Sequence, residues 1–254
     1  MLGARIIFTA IVVALALPLV TSNVAQVVSP HRYGPETVPG LAKQANFNGK
    51  NGWKYHGIDV IFHCIEKSSM STPLNKQAAN DAAFYESCLD HQKKEQKREP
   101  AMDYIGCPFA RYQEPLKICY IIKAPIGMVR LTVPDTFHYM KSRGPTFRDT
   151  VMNNIVAGHK LADDLGWLLG WNFNNVAFEP RGEVLIASLG DRMSKAEAAK
   201  SGGRRNAGRE NSLESFLKLF FASFSFPGDN AKQLRKNVME QLQFPPSANR
   251  RSSF

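Results

Sequence analysis

Between residues 107 and 154 the chain sets cations and aromatic rings in three short phrases. They read Cys107-Pro108-Phe109-Ala110-Arg111-Tyr112, Lys123-Ala124-Pro125-Ile126 and Arg148-Asp149-Thr150-Val151-Met152-Asn153-Asn154. Arg111, Lys123 and Arg148, with Arg130 between them, are residue types that neutralise phosphate. Phe109 and Tyr112 carry rings of the kind on which unpaired bases stack. Together they are candidates for a cleft that holds single-stranded RNA. The plainer alternative is that the rings are core and the cations a solvated rim. Proton transfer is poorly served by the same positions, because Phe109 carries no proton and a lysine at neutral pH is already protonated unless deeply buried. His63, His138 and His159 are the imidazoles on which an alternative acid–base pair would have to be built.

The order and wording of the phrases resemble the fungal guanyl-specific ribonucleases. There the corresponding stretches read Tyr-Pro-His-x-Tyr, Glu-x-Pro-Ile and Asp-Arg-Val-x-Phe-Asn. Phe109 stands where that pattern has its His, Lys123 where it has its Glu, and Asp149 where it has its Arg. A second catalytic His would follow Gly158 by a few residues, where Leu161 and Ala162 stand; His159 is near but out of place. Phe62-His63-Cys64 resembles an aromatic-x-Cys near the mature N-terminus, a pattern shared with the ribonuclease-like secreted effectors of powdery mildew fungi. Asn153 to Gly158 resembles the Asn-rich turn and Ala-Gly that follow the Arg strand. Asn174-Asn175-Val176-Ala177-Phe178-Glu179-Pro180 resembles a closing Asn-x-Phe-x-x-Cys with Pro180 in place of the Cys. Over residues 55–180 the resemblance implies an α+β fold, one helix packed on a short-stranded antiparallel sheet. It implies a scaffold that has lost its catalysts and acts by binding, as an effector delivered by a fungus towards a host protein or RNA. General acid–base groups each contribute roughly 10²- to 10⁴-fold, so their loss removes practical turnover.

The N-terminus predicts a secretory route. Arg5 precedes an apolar run over residues 6–20, and Val20-Thr21-Ser22 offers small residues for cleavage, so residues 1–22 read as a signal peptide. The run is shorter than the ~20 apolar residues that a membrane span needs, and no later segment reaches that length. Four cysteines, Cys64, Cys88, Cys107 and Cys119, predict two disulfides in an oxidising compartment, with three pairings open. A free thiol at Cys88 is the alternative reading. With no C-x-x-C pair, no metal site is predicted, and no cofactor is implied. A formal charge of +10 attracts anionic partners in general, but the Lys and Arg residues are spread along the chain instead of forming a tract. A monomer is expected.

The elements that must position these residues follow from patterning. Residues 23–54, rich in Gly, Pro and Asn, read as an N-terminal arm before a domain over 55–190. Alternation predicts a strand over 58–65, with Ile58, Val60, Phe62 and Cys64 on one face. Ser71 or Thr72 with Pro73 predicts the start of a helix whose stripe is Leu74, Ala78, Ala82, Tyr85 and Leu89, followed by a solvated loop over 92–100. Branched, apolar runs predict strands over 117–123, 128–133, 150–156 and 183–189. Residues 191–211 read as a flexible basic linker. Two helices are predicted over 212–244, capped by Ser212 and Asp229, the first with a Phe-rich face expected to pack on the domain or its neighbour; a disordered tail is predicted over 245–254.

Overall fold

A computed structural model describes residues 34–45, 51–71, 76–132, 134–173, 176–179, 181–186, 192–200 and 204–242. The expected signal peptide, the helix cap at Thr72-Pro73 and the expected tail lie outside those residues. The fold is α+β with antiparallel sheets. No helix among the described residues is long and apolar enough to cross a membrane.

Among the described residues a single 3-10 turn (Pro35–Thr37) precedes strands β1 (Leu41–Ala45), β2 (Asn51–Tyr55) and β3 (Ile58–Glu66). An arm was expected where β1 and β2 lie. Residues 41–45 and 51–55 are strands of a meander instead, in which Leu41 pairs with Tyr55 and Trp53 with Val60. The β2–β3 turn is the two-residue kind that needs φ > 0 at both positions, met by His56 (φ 46°) and Gly57 (φ 87°). After a short helix α1 (Lys67–Ser71) comes α2 (Lys76–Glu95), whose buried face is Asp81, Ala82, Phe84, Tyr85 and Cys88. This helix runs through the first residues of the expected loop. Helix α3 (Pro100–Tyr104) leads to the hairpin of β4 (Ala110–Gln113) and β5 (Lys117–Lys123). The resulting sheet has the order β1-β2-β3-β5-β4.

Strand β5 is covered on both faces, as its near-continuous apolar run requires. Tyr120 and Ile122 enter the main core with Tyr85 and Cys88 of α2, and the Tyr85 and Tyr120 rings lie 4.7 Å apart. Cys119 and Ile121 enter a smaller core on the opposite face, with Val38, Val60, Phe109 and Tyr112, against half-buried Trp53, Tyr55 and Phe62.

Strand β6 (Val129–Arg130) joins β8 (Val176–Phe178) and β9 (Val184–Ile186) in a second sheet of order β6-β8-β9. Between them run helices α4 (Pro134–Arg143) and α5 (Pro145–Asp164) and strand β7 (Trp167–Leu169). The strand expected over 150–156 is therefore the middle of a 20-residue helix. Gly144, at φ 83°, turns the chain into Pro145 at its first turn. Phe147, Val151, Ile155, His159 and Ala162 then bury one face at helical spacing.

The expected linker is also ordered where it is described. Strand β10 (Arg192–Ser194) pairs with β7, and helix α6 (Lys195–Lys200) follows it. Helices α7 (Arg204–Ser223) and α8 (Ala231–Gln241) are the last elements among the described residues. Leu213, Phe216, Leu217, Phe220, Phe221 and Phe224 of the α7 region are buried in the same core as α2 and α5, so this is no separate extension. Asn230, not Asp229, caps α8 through Gln233 N–H.

Candidate functional site

Each residue expected at a phosphate- and base-binding cleft has its own environment. Phe109 precedes β4, donates its backbone N–H to Ile121 and is 6% exposed. The Arg98 guanidinium lies over its ring at 4.0 Å and Tyr55 stacks on it at 5.4 Å. Tyr112, equally buried, meets Phe62 edge to face at 5.4 Å. These two rings are core of the smaller cluster, so neither presents a free face on which a base would stack. This corrects the expectation for both residues.

Alternation along β4 sends Arg111 to the face opposite Tyr112. There it pairs with Glu86 of α2, whose same Oε1 also accepts the Tyr120 hydroxyl at 2.8 Å. Arg111 keeps 49% exposure of its side chain.

Lys123 ends β5 and donates to Glu179 Oε1 at 3.0 Å and to Glu183 Oε2 at 2.7 Å. Burial works against the ammonium, but its bonds to Glu183 and Glu179 outweigh this and hold the pKa above the ordinary lysine range. The carboxylates diverge. Burial pushes Glu179 up, whereas hydrogen bonds from Glu179 and Lys123 hold Glu183 down. Both glutamates flank the tight β8–β9 turn, in which Glu179 N–H donates to the Glu183 carbonyl at 2.8 Å. Tyr104 of α3 completes the group; burial first, then the Glu183 carboxylate, raises its phenol.

Arg148 departs furthest from expectation. It lies in α5 with its side chain 2% exposed, bonded to Asp149 at 2.8 Å, to Asp229 and to the Phe224 carbonyl at 3.2 Å. Phe226 and Phe221 rings lie 5.2 and 5.7 Å from its guanidinium carbon. Burial works against the Asp229 charge, yet the Phe226 N–H and Arg148 together hold its carboxyl below the usual range. Arg148 is thus a tie between α5 and the α7–α8 connection, and Asp149 is its partner rather than a phosphate-facing acid. Arg130 is exposed on β6, where its carbonyl accepts the Thr136 hydroxyl at 2.7 Å.

The histidines are likewise dispersed. His63 on β3 shares a 2.9 Å hydrogen bond with the Tyr85 hydroxyl, and burial, aided by Arg192, lowers its pKa. His159 of α5 accepts from Trp171 Nε1–H at 3.2 Å, and burial lowers its pKa to about 4, with Lys195 adding to the effect and Asp163 opposing it. An imidazole that stays neutral to about pH 4 makes a poor general acid near neutrality. His138 is exposed on α4.

The cysteine pairing is now fixed as Cys64–Cys119 and Cys88–Cys107, so Cys88 is not a free thiol. The first pair lies directly opposed across β3 and β5; the second ties α2 to the segment between α3 and β4.

Of the six residues expected to converge, Phe109 and Tyr112 share one core and Lys123 sits at the end of the same sheet, whereas Arg111 and Arg148 face elsewhere and Arg130 is exposed on the second sheet. The groups missed from sequence are the carboxylates, Glu86, Glu179, Glu183 and Asp229. One legible signal existed, since Glu179-Pro180-Arg181-Gly182-Glu183 is a turn phrase with an acid on either side. Neither a scan against protein-family models nor a search of curated proteins finds a match to this chain.

Proposed function

We propose that the chain is a secreted, non-catalytic binding protein of the effector kind, and that its target is a host protein surface and not RNA. The observation that carries this reading is the state of the cations. Arg111 holds Glu86, Lys123 holds Glu179 and Glu183, and Arg148, itself buried, holds Asp149 and Asp229. A phosphate group would have to compete with the chain's own carboxylates at each of the three. The helix-on-sheet arrangement of α2 against β3 and β5 supports a ribonuclease-like scaffold over that part. The helical course of residues 145–164 removes the third phrase from that support. Two disulfides support an oxidising compartment.

Catalysis is tested by incubating the purified mature protein with single-stranded RNA across about pH 5 to 8. The expected result is no product above a protein-free control. Metal-independent formation of 2′,3′-cyclic phosphate ends, abolished by His63→Ala or His159→Ala, would contradict the reading.

A further inference from the structure

The two disulfides differ in what can reach them. Cys88 and Cys107 are 0% and 1% exposed, and Cys119 is 0% exposed, whereas Cys64 is exposed. The reason lies in the sheet. The described β2–β3 pairing runs only as far as Trp53 opposite Val60, so the second half of β3 extends past its neighbour, and Ile61 there is 45% exposed. On the other side β3 stays paired with β5 over seven residue pairs, from Val60 opposite Lys123 to Glu66 opposite Lys117. Cys64 and Cys119 face each other within that ladder, with Cα atoms 4.0 Å apart.

We propose that Cys64–Cys119 is a thiol–disulfide exchange site that small thiols open while the protein stays folded, with Cys64 Sγ as the atom attacked. A thiolate donates its electron pair to Cys64 Sγ, and the S–S bond breaks. The pair leaves on Cys119 Sγ, which takes a proton from solvent. A second thiolate then attacks the outer sulfur of the mixed disulfide, releasing the small-molecule disulfide and leaving Cys64 as a thiol. The balance is two thiols oxidised and one protein disulfide reduced. Attack on Cys119 is blocked by its burial, and so is attack on either sulfur of Cys88–Cys107.

Opening costs the fold little, because the β3–β5 ladder still holds the two residues opposite each other. The same proximity makes reclosure intramolecular once thiol is removed. Cys88–Cys107, by contrast, joins a helix to an irregular segment deep in the main core, and reaching it requires that core to open. The chain therefore carries one structural disulfide and one that reads the thiol content of its compartment, a difference that does not depend on what the protein binds.

The test uses the full mature chain with reduced glutathione at about pH 7.5, where a useful fraction of the reagent is thiolate. Samples are acid-quenched, alkylated and mapped by peptide mass spectrometry, with and without urea below the unfolding transition. Cys64 and Cys119 should label roughly tenfold or more ahead of Cys88 and Cys107. The rate should be proportional to glutathione and insensitive to the low urea, and trapped glutathione should sit on Cys64. Simultaneous labelling of both pairs, a rate independent of glutathione, or glutathione found on Cys119 would each overturn the assignment. If a Cys64→Ser/Cys119→Ser variant keeps the native circular dichroism spectrum, the fold tolerates the open state; loss of that spectrum would equally refute opening without unfolding.

Discussion

Lys123 and Arg148 received one role from sequence and occupy opposite physical regimes. Lys123 closes the end of a strand, keeps 20% of its side chain in solvent, and is held by two glutamates from one turn. Arg148 is sealed between helices with a carboxylate, a carbonyl and two rings around it. At the first site water screens the pair and either partner can be lost at modest cost. At the second a lost partner leaves a charge with nowhere to go. Both arrangements give a cation carboxylate partners from the chain itself, but only one of the cations lies in the core.

The largest effect should come from the sealed site. Arg148→Ala is expected to destabilise the protein by about 3 to 5 kcal/mol in urea unfolding, since it leaves Asp229 uncompensated and empties a core position. A loss no larger than that of an exposed arginine would remove the contrast between the two sites.

Buried titrating groups give the next effect, and two of them oppose each other. His159 has its folded pKa lowered to about 4 from 6.5, so the unfolded chain takes its proton first as pH falls. Its contribution is present above pH 6.5 and lost as pH falls through 4, roughly 3 kcal/mol in all. Asp81 runs the other way. Burial raises it to about 6 against the pull of Arg192 and Gln77, so the folded chain takes its proton first, and stability rises as pH falls from about 6 towards 4. After allowance for screening this is worth roughly 1 to 2 kcal/mol. Asp81→Asn should therefore steepen the acid loss of stability between about pH 6.5 and 4, and His159→Asn should flatten or reverse it. Thermal unfolding over that range reads both, and identical pH profiles for the two variants would show that neither group is coupled to folding.

A smaller effect is expected at the open site. Lys123→Ala should cost about 1 kcal/mol, reflecting two carboxylates left facing each other, and Arg111→Ala less than about 1 kcal/mol. An effect of Lys123→Ala as large as that of Arg148→Ala would place both cations in the same regime.

How far these regimes were legible depends on the range of the contacts. Strand 117–123 was readable to its last residue, because an apolar, branched run between turn formers admits few alternatives. The branching of Val151, Ile155 and Val156 points to a strand, although Phe147, Val151, Ile155 and His159 recur every four residues behind a Gly-Pro start. The helical period outweighed β propensity. Arg192 could not be read from its polar neighbourhood. It is buried because β10 pairs with β7, where its guanidinium donates to the Ile105 carbonyl at 2.7 Å and lies 4.1 Å over the Phe84 ring, contacts 87 and 108 positions away in the chain. The same holds at the candidate cleft: cation types are visible in sequence, but apart from Asp149 the carboxylates that pair with them, Glu86, Glu179, Glu183 and Asp229, come from distant elements.

Internal neutralisation of the cations is tested most directly by a fluorescence-anisotropy titration of labelled single-stranded RNA at low salt, comparing the native chain with Glu179→Gln/Glu183→Gln. The native protein should show no saturable binding, and the variant, with Lys123 released, should gain weak binding whose log–log salt slope is roughly 0.7 for the one phosphate contact added. Native binding with a slope of several contacts, unchanged in the variant, would contradict the account.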